Sequence, residues 1–287
     1  MPEMPEVESL ARFLTDKCVG HSIARIDLVA FSALKTYDPP LSALHGLEIE
    51  SVTRRGKFLD LSAQGLHLVF HLARAGWLRW RDSLPDEPPR PSKSPLALRL
   101  RLDDSSGFDL TEAGTQRKLA IYVVTDPLSI PMVATLGPDP LTDEFDQPAL
   151  AGVLAKAGRA QLKGVLKDQR TIAGIGNAYS DEILHAAKLS PFKPSNSLTE
   201  AELSTLFAAI KGELADAIQR AEGLAAKDLK GEKKSGLRVH GRTGEKCDVC
   251  ADTIAEVSFA DSSLQYCPTC QTGGKKLADR RLSKLLK

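Results

Sequence analysis

The sequence predicts an α+β protein: a leading helix, a β-sandwich, a helical segment and a C-terminal four-cysteine metal site. Short apolar runs separated by turn residues fill roughly the first 125 residues. From about residue 148 the apolar spacing becomes helical. Four of the five cysteines then fall in two C-x2-C pairs near the end.

Residues 5–17 read as a helix, because Val7, Leu10, Ala11, Leu14 and Cys18 share one face and Gly20 follows. Cys18 is therefore expected in the core. The β-like runs are Ile23–Val29, Leu47–Val52, Phe58–Leu61, His67–Leu72, Trp77–Trp80, Leu96–Leu102, Phe108–Leu110 and Leu119–Val124. Leu84–Pro95, rich in proline and charge, reads as a loop, and residues 125–146, with four prolines, read as a linker. Helices are expected over Leu150–Ala157, Leu162–Gln169, Asn177–Ala187 and Thr199–Ala221, followed by a Lys/Gly-rich segment, Lys227–Gly236. The expected division is 1–130 for the sandwich, 131–147 for the linker, 148–225 for the helical domain, 226–271 for the cysteine region and 272–287 for a basic tail.

Composition excludes several classes. With 42% hydrophobic and 26% charged residues the chain is an ordinary globular one. No apolar run approaches the ~20 residues of a membrane span, and no basic-then-apolar leader is present, so a cytosolic protein without a membrane partner is expected. The net charge of +1 hides a division. Residues 1–150 carry 16 Lys+Arg against 21 Asp+Glu, a net of −5, and residues 151–287 carry 22 against 16, a net of +6. A basic half suits nucleic acid, although the same excess also fits a solvated surface.

Cys247-x2-Cys250-x16-Cys267-x2-Cys270 has the spacing of a tetrahedral zinc site with four thiolates. A redox pair accounts for one C-x2-C but not for two. Such a site is structural and leaves no position open for chemistry. Gly174-Ile-Gly-Asn177 opens a helix, where free amides favour an anion, though a tight inter-helix turn has the same signature. Arg54-Arg-Gly-Lys57 lies between two β runs, so Lys57 is either a solvated hairpin lysine or a phosphate ligand. His71 ends a strand.

The first residues are Met1-Pro2-Glu3-Met4-Pro5-Glu6. Methionine before a small residue is usually removed, which would give Pro2 a free secondary amine. Such an amine can attack an electrophilic carbon and form an imine. An α-amino group titrates near ~7.7–8.0 against ~10.4 for lysine, so it needs less tuning. Glu3, beside it, can trade protons with the reacting group. Read alone, these residues are equally a featureless charged start.

Taken in order, N-terminal Pro-Glu, a hairpin Arg-Gly-Lys, a strand-end His-Leu, the Gly-x-Gly-Asn-x-Tyr turn and the terminal cysteines resemble the formamidopyrimidine-DNA glycosylase/endonuclease VIII family. Residues 163–191 resemble its helix–two-turn–helix module, and Val239-His240-Gly241-Arg242 resembles its approach to the zinc finger. The resemblance implies a DNA base-excision repair glycosylase with an AP-lyase step, acting by β,δ-elimination on oxidised bases or AP sites in damaged double-stranded DNA. Pro2, Glu3 and Lys57 then form the catalytic set, with Pro2 attacking C1′ and Glu3 as the general acid/base. Glu6 orders the site. Lys57, His71 and Asn177 hold phosphates, Lys163 lies near the extruded nucleotide, and Cys247, Cys250, Cys267 and Cys270 hold one structural zinc. A monomer with no small-molecule cofactor is expected.

The chain departs from the family pattern in a cluster. Arg74 stands where an intercalating methionine is common. In Gln116-Arg117-Lys118-Leu119, Arg117 keeps the arginine of the loop that fills the void left by a flipped base, but Leu119 replaces its phenylalanine. Ser262 stands in place of the finger's phosphate-gripping arginine. The segment after Gly223 is short for a loop covering 8-oxoguanine. An inert damage-binding protein on the same scaffold is the alternative, but a pure binder has no need of Pro2, Glu3 and Lys57 together.

The tail Thr272–Lys287 carries six Lys and Arg against Asp279. Ending the chain after Gln271 is expected to weaken DNA binding and flatten its salt dependence. An unchanged slope of log affinity against log salt would remove the tail from the DNA interface.

Overall fold

A computed structural model describes residues 1–89, 95–114, 116–260 and 262–278. It divides into two units, Met1–Thr135 with Ala221–Glu232, and Leu136–Arg220 with Lys233–Lys287. No helix among the described residues is long and apolar enough to cross a membrane.

The first unit opens with helix α1 (Met4–Cys18), which buries Val7, Leu10, Leu14 and Cys18. A capping box joins Glu3 and Glu6 at its start, the Glu3 N–H donating to Glu6 Oε2 at 2.7 Å. Two antiparallel four-stranded sheets follow. One orders β1 (Ile23–Leu28), β6 (Leu96–Leu102), β7 (Gly107–Glu112) and β5 (Gly76–Arg81). The other orders β2 (Ser51–Arg55), β3 (Phe58–Ala63), β4 (Leu66–His71) and β8 (Ala120–Val124). Alternation sends Leu98, Leu100, Phe108 and Leu110 of one sheet, and Leu59, Leu61, Phe70 and Ile121 of the other, into a common core. The rings of Phe70 and Phe108 meet across it at 6.0 Å.

Three expectations shift. Residues 47–49 do not join β2. The Ile23 N–H donates to Leu47 O and the Ile49 N–H to His21 O, so the backbone polar groups of this stretch are satisfied by the start of β1. Within the expected linker, Pro127 and Pro131 stand in the first turns of a 3-10 turn (Pro127–Ser129) and of α2 (Pro131–Ala134), where proline is tolerated because its missing N–H has no partner to lose. The Lys/Gly-rich segment forms helix α7 (Leu229–Gly236), anchored by Leu229, which is buried in the first unit's core. Of the expected loop 84–95, residues 90–94 lie outside the described residues, as do residues 279–287 of the tail.

The second unit contains α3 (Gln147–Ala157), α4 (Leu162–Lys167), α5 (Asn177–Ala186) and α6 (Glu200–Arg220), then the hairpin β9 (Ala255–Ser258) and β10 (Ser263–Tyr266), and α8 (Pro268–Thr272). Between α4 and α5 the Gln169 side chain braces a tight turn. Its Oε1 accepts from the Gly174 N–H at 2.9 Å and its Nε2 donates to Ile175 O at 2.7 Å. Gly174 has φ +86, a left-handed conformation that a Cβ would penalise.

On α5 the buried carboxylate of Glu182 accepts three successive backbone N–H groups, those of Arg238 at 2.8 Å, Val239 at 3.0 Å and His240 at 2.8 Å. Burial pushes its carboxyl up from the ordinary range, while the three amides pull it back. Glu182→Gln sets an amide N–H against one of those donors. It is expected to lose about 1–3 kcal/mol of stability, read as a lowered Tm. A Tm equal to that of the parent chain would show that the three amides find other acceptors.

Candidate functional site

Pro2 and Glu3 are buried at the N-terminus of α1. The capping box fixes the Glu3 backbone through Glu6. The same helix locates Lys57. Glu8, further along α1, accepts from Arg54 Nε at 2.9 Å, and Arg54 Nη1 donates to Gly56 O at 3.1 Å. Gly56 takes φ +59 in the turn between β2 and β3. Asp60 adds a second brace, accepting from Arg55 Nε and bonding His67 Nδ1, both at 2.8 Å. Lys57 is consequently 6% exposed, not the solvated hairpin lysine that its turn position allows.

His71 lies beside this lysine at the end of β4, with its ring 4.8 Å from that of Phe58. Burial, with a smaller push from the Lys57 charge, lowers its pKa to about 4. The Ala73 N–H donates to His71 Nδ1 at 3.1 Å. The ring is thus neutral near pH 7, with the proton on Nε2, a donor suited to a phosphate oxygen. Ala73 holds φ +52, so the turn after His71 is strained for a residue with a Cβ. Arg74 follows at the exposed tip.

Arg117 is exposed three residues before Ala120, which pairs with His71 across the β4–β8 ladder. The backbone N–H groups of Lys118 and Leu119 are both held by Glu112, and Leu119 is buried in the core. Leu119 is therefore a packing residue.

In the second unit Lys163 and Asn177 meet directly. Lys163 Nζ donates to Asn177 O at 2.6 Å and to Asp181 Oδ1 at 2.7 Å. Asp181 is fully buried, and its other oxygen bonds His240 Nδ1 at 2.7 Å. Asn177 does not cap α5, since Gly176 is the N-cap. Its Nδ2 instead donates to Ser263 O at 2.7 Å, tying the helix to the hairpin. Ser262 lies in that hairpin turn and accepts the Phe259 N–H at 2.8 Å through its carbonyl.

The four cysteines converge. Their sulfurs all lie within 4.8 Å of one another, with Cys247–Cys270 at 3.9 Å and Cys250–Cys267 at 3.3 Å. Tetrahedral zinc–sulfur bonds of ~2.3 Å space sulfurs by roughly 3.8 Å, so the set fits one zinc ion. Burial pushes the Cys267 thiol up to about 11 and Cys270 further, whereas the Asp252 amide holds Cys250 below the ordinary range. Four such sulfurs become thiolates together only around a cation. Zinc held by all four is closed to substrate and structural.

Sequence reasoning missed His185, whose Nε2 lies 3.3 Å from Cys247 Sγ and whose pKa is lowered by burial and by Arg238. It also missed Glu8, Arg54, Asp181 and Glu182. These are polar groups on otherwise apolar helical or strand faces, and only their partners reveal them.

Comparisons agree with this arrangement. Profiles of the formamidopyrimidine-DNA glycosylase N-terminal domain, of its H2TH domain and of a zinc finger found in FPG and IleRS match residues 1–119, 136–228 and 244–273. The formamidopyrimidine-DNA glycosylase of Symbiobacterium thermophilum is 35% identical, over 98% of this chain and 93% of its own. An uncharacterised formamidopyrimidine-DNA glycosylase-like protein of Mycobacterium tuberculosis is 59% identical over 157 residues, 55% of this chain and 98% of its own. The crystal structure of the MutM (Fpg) protein of Thermus thermophilus superposes with TM-score 0.80 at 30% identity, covering 96% of this chain and 100% of its own. The Lactococcus lactis enzyme in complex with DNA containing FAPY-dG gives 0.82 at 28% identity, covering 94% and 100%.

His71 is expected to titrate near 4 by NMR, and so to stay neutral from pH 8 down to about pH 5. Because its folded pKa lies below its unfolded value, the unfolded chain binds the extra proton. Its contribution to stability is complete above pH ~6.5 and is lost as pH falls toward 4. A measured pKa near 6.5 would mean that the ring is hydrated and the Ala73 contact absent.

Proposed function

This chain belongs to the formamidopyrimidine-DNA glycosylase family, and we propose that its glycosylase and AP-lyase chemistry on damaged double-stranded DNA runs through an imine on the nitrogen of Pro2. The observation that carries this reading is the burial of Pro2 and Glu3 together at the first turn of α1, with Glu6 closing the capping box.

Once Met1 is removed, the amine of Pro2 faces the positive end of a 15-residue helix. That end disfavours the ammonium by about 0.3–1 kcal/mol and so keeps the nucleophile neutral. The lone pair attacks C1′ of the damaged nucleotide, and the base departs with the bonding electrons and takes up a proton. Once the nitrogen has shed its proton, its lone pair opens the C1′–O4′ bond, O4′ takes up a proton, and the cationic imine so formed acidifies the C2′ protons. Loss of one expels the 3′ phosphate, and a second elimination expels the 5′ phosphate. Glu3 carries protons between the sugar and the departing groups. Buried Lys57 and the Nε2–H of neutral His71 supply a charge and a neutral donor for phosphate oxygens. In the second unit Lys163 and Asn177 contribute on the same reading. Arg74 and Arg117, both exposed, are offered to the strand around the flipped nucleotide. Zinc on the four cysteines stabilises the finger and takes part in no step. The protein works on this reading as a monomer in the cytoplasm.

Borohydride is expected to trap a covalent adduct between the processed chain and duplex DNA carrying an AP site. Pro2→Gly is expected to abolish the adduct, and Glu3→Gln to slow base excision about 10²–10⁴-fold. Failure to trap, despite a confirmed Pro2 terminus and measurable AP-site binding, would overturn the imine and favour a damage-binding protein.

A further inference from the structure

Both tryptophans of the chain, Trp77 and Trp80, lie on β5, and both line a pocket of about 700 Å³ in the first unit. The pocket lies toward the far end of α1 from Pro2. Its helical wall is Phe13 and Lys17, roughly 13–20 Å along α1 from Met4 at ~1.5 Å per residue. Its third wall is the segment 225–230, held in place by the Trp77 Nε1–H, which donates to Ala226 O at 3.0 Å. The site is therefore separate from the reacting amine, and the mechanism above does not use it.

Its chemistry is specific. Phe13 meets Trp80 edge-on at 82°, which fixes the plane of a half-exposed indole as a stacking platform. Cations surround the rings. Lys230 Nζ stands 4.5 Å from the Trp77 ring centroid and Lys17 Nζ 5.9 Å from that of Trp80. Arg79, Arg81 and Lys227 complete five positive groups on the wall. Among the described lining residues only Asp82 is acidic, and it already accepts the Trp80 Nε1–H at 2.9 Å. Asp109, the acid facing Arg81 at 3.9 Å, is taken by Arg99 at 2.7 and 3.0 Å. Burial and the Arg79 charge lower the Lys230 pKa, as expected where cations are crowded without matching acids.

We propose that this pocket is a second nucleotide-binding site, in which a base stacks on Trp80 while its phosphate is held by Lys17, Lys227, Lys230 and Arg79. Aromatic platforms bordered by cations bind nucleotides in this way with little dependence on sequence. The nucleotide is either free or an unstacked residue of a single strand, since both present the same ring and phosphate.

The pair of tryptophans makes the test direct, because intrinsic tryptophan fluorescence reports on this pocket alone. The full-length protein is titrated with deoxyadenosine monophosphate, a short single-stranded oligodeoxyadenylate, deoxyadenosine and sodium phosphate. Saturable quenching by the monophosphate identifies a free-nucleotide site, and quenching by the oligonucleotide alone identifies a strand-presented one. In either case Lys227→Ala with Lys230→Ala is expected to weaken binding about tenfold or more. The quench is expected to persist in Pro2→Gly protein that no longer traps AP-site DNA, which separates this site from the imine reading. No quench by either nucleotide, an equal effect of sodium phosphate alone, or loss of the quench in Pro2→Gly would each overturn the proposal.

Discussion

Two adjacent buried carboxylates on α5, Asp181 and Glu182, are the constraint on which the second unit depends. One binds Lys163 and His240 side by side, and the other collects three consecutive backbone amides from the segment leading to the finger. Taking out either acid leaves buried donors without acceptors. Loss of one member of a buried ion pair typically costs ~3–5 kcal/mol, far more than the pair contributes over an apolar substitute. The pair is accordingly better understood as positioning than as stabilisation. It sets Lys163 against Asn177, and it sets Val239 into the small core that also contains Cys247, Ile254 and Cys267. Zinc closes that core, and the His185 contact to Cys247 brings α5 to the metal's edge.

The first unit solves a different problem with similar means. α1 fixes two points of the chain at once, because its start carries Pro2 and Glu3 while Glu8 grips Arg54 and, through it, the turn that carries Lys57. Beside that lysine stands a histidine that burial holds neutral. The neighbouring turn bears the strain, with Ala73 at positive φ lifting Arg74 into solvent.

The departures from the family pattern now have separate physical meanings. Leu119 has joined the core, whereas Arg117 two residues before it is exposed. Arg74 places a cation, of a kind that stacks and binds phosphate, at the exposed tip after His71. Ser262 puts a neutral side chain in the hairpin turn, where a guanidinium on a phosphate would make a charge-assisted contact of ~1.5–3 kcal/mol. The segment after Gly223, short for a lesion cap, lies partly against Trp77.

The sequence by itself determined the order of elements, the apolar face of α1 with Cys18 inside it and the zinc ligands. Each of these is encoded locally, in a period of about 3.6 or 2 or in a cysteine spacing. Strand existence was legible for the same reason, but the start of β2 was not, because residues 47–49 found their backbone partners beside β1 rather than along β3. Tertiary structure alone decided that Lys57 is buried, that His71 is neutral, that Asn177 serves the hairpin and not its own helix, and that Asp181 and Glu182 are hubs. Those outcomes depend on desolvation and on partners tens of residues away, and no local pattern in the chain encodes either.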